Sequence, residues 1–237
     1  MKKHLLILFL LAGLFSQSAK SPFIKPFKTV RLELAEPSEI VSLGRDRFIV
    51  LANKGFIYEI NTEGKVIRKA ETTGYDLEGA CSVKDKLYVT DESLRQVMIF
   101  QSHDLSFVET RQLQYHGPRN LGFEAITYNP EAGIFLLATE KNPQLIIEYS
   151  NHFIQGKQVS IKGINEISAL DYLKGHLYIL SDEQNTVFKV NPKNYTITQS
   201  WKLPVINPEG ICFTDEGDMV IVSDDMGKMF FFKNPEL

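Results

Sequence analysis

Carboxylates recur in this chain at spacings that suit a metal site. Glu39, Glu78, Glu124 and Glu209 each stand just ahead of an alternating apolar run, and Ser168 takes the same place in one further copy. A second set closes the run that follows: Asp91 and Glu92, Glu140, Asp182 and Glu183, Asp224 and Asp225. Glu166, two residues ahead of Ser168, joins the first set. Acids gathered in one place repel each other, and the cost must be offset. A hard divalent cation held by about six to eight oxygens does this, and Ca²⁺ suits flexible, loop-borne carboxylates best. No His or Cys accompanies the acids, which argues against tetrahedral zinc. The alternative is structural, with the acids accepting backbone N–H groups between neighbouring strands. Lys141, beside Glu140, offers a countercharge in either case.

The elements that carry these residues repeat. LEGACSVKDKLYVTDE (77–92) returns as FEAITYNPEAGIFLLATE (123–140), ISALDYLKGHLYILSDE (167–183) and PEGICFTDEGDMVIVSDD (208–225), with a weaker first copy, SEIVSLGRDRFIVLANK (38–54). From Glu39 through Ser168 to Glu209 the spacings are 39, 46, 44 and 41 residues, and about 42 is the length of one four-stranded propeller blade. In the second copy the apolar alternation predicts strands over 79–83, 87–90, 96–101 and 108–114. Long stretches of 3.6-residue periodicity are missing, so helix is expected to be nearly absent. The fold class is therefore all-β, a five-bladed β-propeller of four-stranded blades. The fifth copy supplies three strands, ending near Phe232, and FKTVRLEL (27–34) is a strand belonging to no other blade. It is expected to close the last blade and remove the exposed edges of an open array. One domain is expected over 20–237.

In such a ring the first strand of each blade lines the central channel. The loop entering that strand and the loop leaving the second strand share a face. Both acidic sets are thus expected around one mouth of the channel.

Composition narrows the function classes. The chain is 43% hydrophobic and 23% charged, with a formal net charge of −3 and no basic run. That is an ordinary globular balance, and it argues against a nucleic-acid partner. Residues 1–19 read as a secretory signal peptide: Lys2, Lys3 and His4, an apolar run from Leu5 to Phe15, then Ser16, Ser18 and Ala19. The run is too short to span a bilayer, and no cysteine near the cleavage point suggests a lipid anchor. Export to a periplasm or cell envelope is expected, with membrane association if the signal stays uncleaved. Cys81 and Cys212 fall at equivalent positions of two copies and read as small buried residues rather than a disulfide. His103, His116, His152 and His176 show no metal-ligand spacing. No nucleophile elbow or phosphate loop is present. Trp201 and the phenylalanines alternate within strands and read as core.

Taken together, DLEG (76–79), TDE (90–92), GFEAITYNP (122–130), TEKNP (139–143), ISALDY (167–172), LSDE (180–183), PEGIC (208–212) and IVSDD (221–225) resemble the SdiA-regulated family of the YjiK type, distantly similar to NHL-repeat proteins. The resemblance covers residues 30–235 and implies a five-bladed propeller with a calcium site and no established catalysis. Carried over by position, it implies Glu78, Glu124 and Glu209 as metal ligands, with Asp91, Glu92 and Glu140 behind them. Glu39, Glu166, Asp182, Glu183, Asp224, Asp225 and Lys141 would complete a ligand-binding face. The first copy departs from the pattern: Glu39-Ile40 stands where Ser-Gly is usual, and Asn53-Lys54-Gly55 lacks the acidic pair. Two functions follow as expectations. One is a monomeric, non-catalytic module that captures a small molecule or an envelope protein. The other is a metal-dependent hydrolase acting on lactone, ester or phosphate substrates.

Overall fold

A computed structural model describes residues 21–52, 55–115 and 122–234; the expected signal peptide, the Asn53-Lys54 pair and His116 lie outside them. The described residues form five four-stranded antiparallel sheets. Blade 1 comprises β2 (Pro37–Gly44), β3 (Arg47–Ala52), β4 (Phe56–Asn61) and β5 (Val66–Glu71), and blade 2 comprises β6 (Leu77–Val83), β7 (Lys86–Asp91), β8 (Gln96–Gln101) and β9 (Phe107–Gln112). Blade 3 holds β10 (Ala125–Asn129), β11 (Ile134–Thr139), β12 (Leu145–Ser150) and β13 (Gln155–Val159). Blade 4 holds β14 (Ala169–Leu173), β15 (His176–Ser181), β16 (Thr186–Asn191) and β17 (Thr196–Lys202). Blade 5 is β18 (Pro208–Phe213), β19 (Met219–Ser223) and β20 (Lys228–Phe232), closed by β1 (Lys28–Arg31). Among the described residues there is no helix, hence none long and apolar enough to cross a membrane.

The N-terminal strand takes the fourth place of blade 5 in register. Thr29 faces Phe230 and Val30 faces Met229 in the antiparallel pair. The Leu32 amide then bonds to the Gly227 carbonyl at 3.0 Å, as Leu113 bonds to Arg95 and Leu203 to Asn185 at 2.9 Å in blades 2 and 4. Those three leucines are all buried. Ahead of β1, the chain runs beside the outer strand of blade 4 in a parallel bridge of Phe23 with Lys202: the Ile24 amide donates to the Lys202 carbonyl at 3.0 Å, and the Lys202 amide donates to the Pro22 carbonyl at 2.8 Å.

Burial follows the ring. Inner strands are covered on both faces, whereas the outer β5 and β9 alternate or lie mostly open. Each apolar cluster joins two neighbouring blades: Val50 and Phe231 link blades 1 and 5, Leu51 and Leu77 blades 1 and 2, Val97 and Phe135 blades 2 and 3. Leu136 with Ile179, and Leu180 with Ile221, complete the circle. Trp201 is buried in the last of these, stacked with Tyr178 at 6.5 Å between centroids. Cys81 and Cys212 are free, buried thiols.

Close approach of the inner strands explains the glycine that follows two of the register acids. A Cβ on Gly79 would lie 2.6 Å from Ala125 Cα, and one on Gly210 would lie 2.6 Å from the Ile40 amide. Only glycine lets those backbones meet.

A candidate acidic metal centre

Three copies of one turn build the mouth of the channel. After β7, β15 and β19 the chain closes with Arg95 N to Glu92 O at 3.1 Å, Asn185 N to Asp182 O at 2.8 Å and Gly227 N to Asp224 O at 2.9 Å. Arg95, Asn185 and Gly227 all take positive φ. These turns bring acids within electrostatic reach of the register residues, Glu92 acting on Glu78, and Asp182 and Asp224 acting on Glu209.

The tightest gathering is Asp76, Glu78 and Glu92, each offering an oxygen within 4.8 Å of the others. Glu124 shares a hydrogen bond with Glu92 from the next blade. Burial first, then the charges of Glu92 and Glu78, push the Glu124 carboxyl far up, and burial first raises Glu92 as well. Burial and the charges of Asp76, Glu92 and Glu209 raise Glu78 to about 8. Glu209 also stands at about 8, through burial and the charges of Asp182, Glu166 and Asp224. Its Oε1 accepts a hydrogen bond from Asn207 Nδ2 at 2.7 Å. Acids from blades 2 to 5 thus share one electrostatic field.

Other expected residues have different partners. Asp91 is fully buried, and its carboxylate accepts the amides of Tyr75 at 3.1 Å and Leu94 at 2.9 Å, fixing the loops on either side. Glu140 pairs with Lys141 at 2.6 Å, and Lys141 reaches Glu183 of blade 4 at 3.3 Å. Glu166 accepts from Ser168 Oγ at 2.7 Å, Ser181 Oγ at 3.0 Å and the Glu183 amide at 3.2 Å, so it ties a junction together. Asp182 and Asp224 line the mouth with carboxyls raised by burial, and Asp225 lies outside them, exposed. Glu39 turns inward: it is 1% exposed, and its Oε1 accepts the Ile40 amide at 2.8 Å and the Ile211 amide at 3.2 Å.

Asp76 escaped the sequence reading although DLEG contains it. Its offset from Glu78 is the one that singled out Glu166 ahead of Ser168, and that offset was the available signal.

The SdiA-regulated family model matches residues 43–233, across all five blades. This chain belongs to the SdiA-regulated family. As a member of that family it shares its fold with a glutaminyl cyclase of Myxococcus xanthus, at 13% identity and a TM-score of 0.74 over 89% of this chain and 97% of that one. A protein of unknown function from Bacteroides caccae aligns at 13% identity and a TM-score of 0.58, over 78% of this chain and 70% of that one. The WD40 propeller domain of Doa1 aligns at 15% identity and a TM-score of 0.53, over 82% and 63% of the two chains. At these identities the likeness is one of fold.

Proposed function

We propose that this SdiA-regulated propeller is an exported, calcium-binding module of the cell envelope that captures a small molecule or an envelope protein at its acidic mouth. The observation that carries the reading is the convergence of Asp76, Glu78 and Glu92 within 4.8 Å, backed by Glu124. All four donors are carboxylate oxygens, the ligand type a hard cation selects. Asp76, Glu78 and Glu92 would hold the ion, which supplies positive charge and orders the loops. Tyr75, Leu94 and Ile206, exposed on loops of the same face, would meet the apolar part of a partner.

Titration calorimetry of the mature chain tests this. Ca²⁺ should bind with one-to-one stoichiometry, and Glu78→Gln should weaken binding at least tenfold. Heat changes equal to buffer dilution would reject the metal. Export is tested by fractionating cells that express the chain with and without residues 1–19.

One observation favours a second reading. The Glu92–Glu124 pair sets two hydrogen-bonded carboxyls, both raised first by burial, side by side at the mouth, an arrangement that can share and pass a proton in general acid–base chemistry. A metal-dependent hydrolase is the reaction class this supports, and the fold shared with a glutaminyl cyclase adds cyclisation of N-terminal glutamine to the assays. Turnover of lactone, ester, phosphate or glutaminyl substrates that disappears in Glu124→Gln would establish it.

A further inference from the structure

The channel has a second chamber, on the face away from the acidic mouth. It is a cavity of about 470 Å³ lined by the inner strand of every blade, from Ile40, Ala80 and Ile211 at its buried end to Lys84 and Pro130 at its exposed rim. Small-molecule sites typically measure about 300–1,000 Å³ and are mostly apolar with a few convergent polar groups. Tyr128, Tyr172 and Phe213, which also pack against the cores between blades, contribute to its lining together with one acid, Asp171.

Asp171 lies deep in the wall. Its Oδ1 accepts the Tyr172 amide at 2.7 Å and its Oδ2 accepts the Phe213 amide of the next blade at 3.1 Å. A carboxylate has about four acceptor positions, so each oxygen keeps one open. Burial raises its carboxyl to about 7 against the opposing pull of these two amides, and its charge in turn acts on Glu39, Cys81 and Cys212. Next to the buried end, the Glu39 carboxyl is held by the Ile40, Ile211 and Ala80 amides. All three residues begin the cavity wall. The one lysine in the lining, Lys84, sits at the exposed rim.

We propose that this chamber binds a small organic monocation, a protonated amine on an aromatic or branched aliphatic body, with Asp171 as the partner of the ammonium group. A buried acid without a countercharge is costly, and a bound ammonium supplies both the charge and the donors. The rings add cation–π attraction and apolar contact. A metal ion is the weaker fit. Cys81 and Cys212 also line the cavity, yet among the described residues only Asp76, Glu78 and Glu92 converge closely enough to hold one. The site is distinct from the acidic mouth, because none of Asp76, Glu78 and Glu92 lines the chamber.

Calorimetry with benzylammonium, benzyl alcohol and benzoate on the mature chain tests the charge preference. The ammonium should bind at least tenfold more tightly than the alcohol, and Asp171→Asn should abolish that margin. Excess CaCl₂ at matched ionic strength should leave the affinity unchanged. Equal binding of ammonium and alcohol, or displacement by Ca²⁺, would overturn the proposal. Wild-type crystals soaked in 4-bromobenzylammonium give a check that does not depend on the variant folding. An anomalous bromine peak belongs in this chamber; a peak at the acidic mouth alone, no peak, or a peak without binding in solution would contradict it.

Discussion

Glu39 and Ile211 lie 172 positions apart, and the Glu39 carboxylate accepts the Ile211 amide at 3.2 Å. The inner strand of the first blade is thereby joined to that of the last, inside the channel. The same oxygen accepts the Ile40 amide at 2.8 Å. Ring closure thus has an inner fastening at Glu39 and an outer one at β1.

Removing the inner fastening should be costly. Glu39→Ala strands two buried amides, each worth about 1–3 kcal/mol when left unsatisfied. Chemical denaturation should show a loss of at least ~2 kcal/mol, with the slope unchanged. Wild-type stability in Glu39→Ala would show that the carboxylate is not a fastening.

The outer fastening can be cut by deleting residues 20–34. The deletion removes Leu32 and Leu34 from the core between blades 5 and 1. At roughly 1.5–3 kcal/mol per buried leucine, melting should fall by ~10 °C or more. An unchanged melting temperature would mean that β1 does not close the ring.

Gly79→Val should destabilise by about 1–3 kcal/mol or more, because its Cβ would sit 2.6 Å from Ala125 Cα, in backbone that cannot swing aside. Thermal denaturation of the purified variant checks this, and a neutral result would refute the close approach of blades 2 and 3.

Stability should fall as pH rises. Glu78 and Glu209 are raised to about 8 and Asp171 to about 7, each chiefly by burial, while their unfolded counterparts titrate near the ordinary carboxylate values. Between about pH 4.5 and 8 the folded chain holds more protons than the unfolded one, so stability drops with pH across that window. In EDTA the melting temperature should be higher at pH 5.5 than at pH 8.5. A rise over the same interval would contradict the burial of these acids.

Much of this was legible beforehand because a propeller repeats. The apolar alternation places the strand edges of blade 2 within a few residues of β6 to β9, and the strand at 27–34, which belongs to no other blade, pairs as β1 with β20 of the last blade. Cys81 and Cys212 lie in the interior, as their equivalent positions in two copies predict, and so does Trp201, as strand alternation predicts. Repetition fixes where a residue stands along a strand but not what its side chain meets. Glu39 shares a register with Glu78, yet glycine at position 210 leaves room for its carboxylate beside the neighbouring strand. Asp91 and Glu92 are adjacent, and strand alternation sends them to different partners: one to loop amides, the other to Gly122 N at 2.9 Å and the acidic cluster. Asp171 sits mid-strand among apolar residues, and nothing in its spacing marks a channel.

The central claim is that the acids of Asp76, Glu78 and Glu92 hold a divalent cation. Melting temperature measured with EDTA and across a CaCl₂ titration tests it most directly. Ca²⁺ at about 100 times its dissociation constant should add ~2.7 kcal/mol of stability, roughly 5–10 °C here, and Glu78→Gln should lose most of that gain. A melting temperature that moves with neither Ca²⁺ nor EDTA would contradict the account.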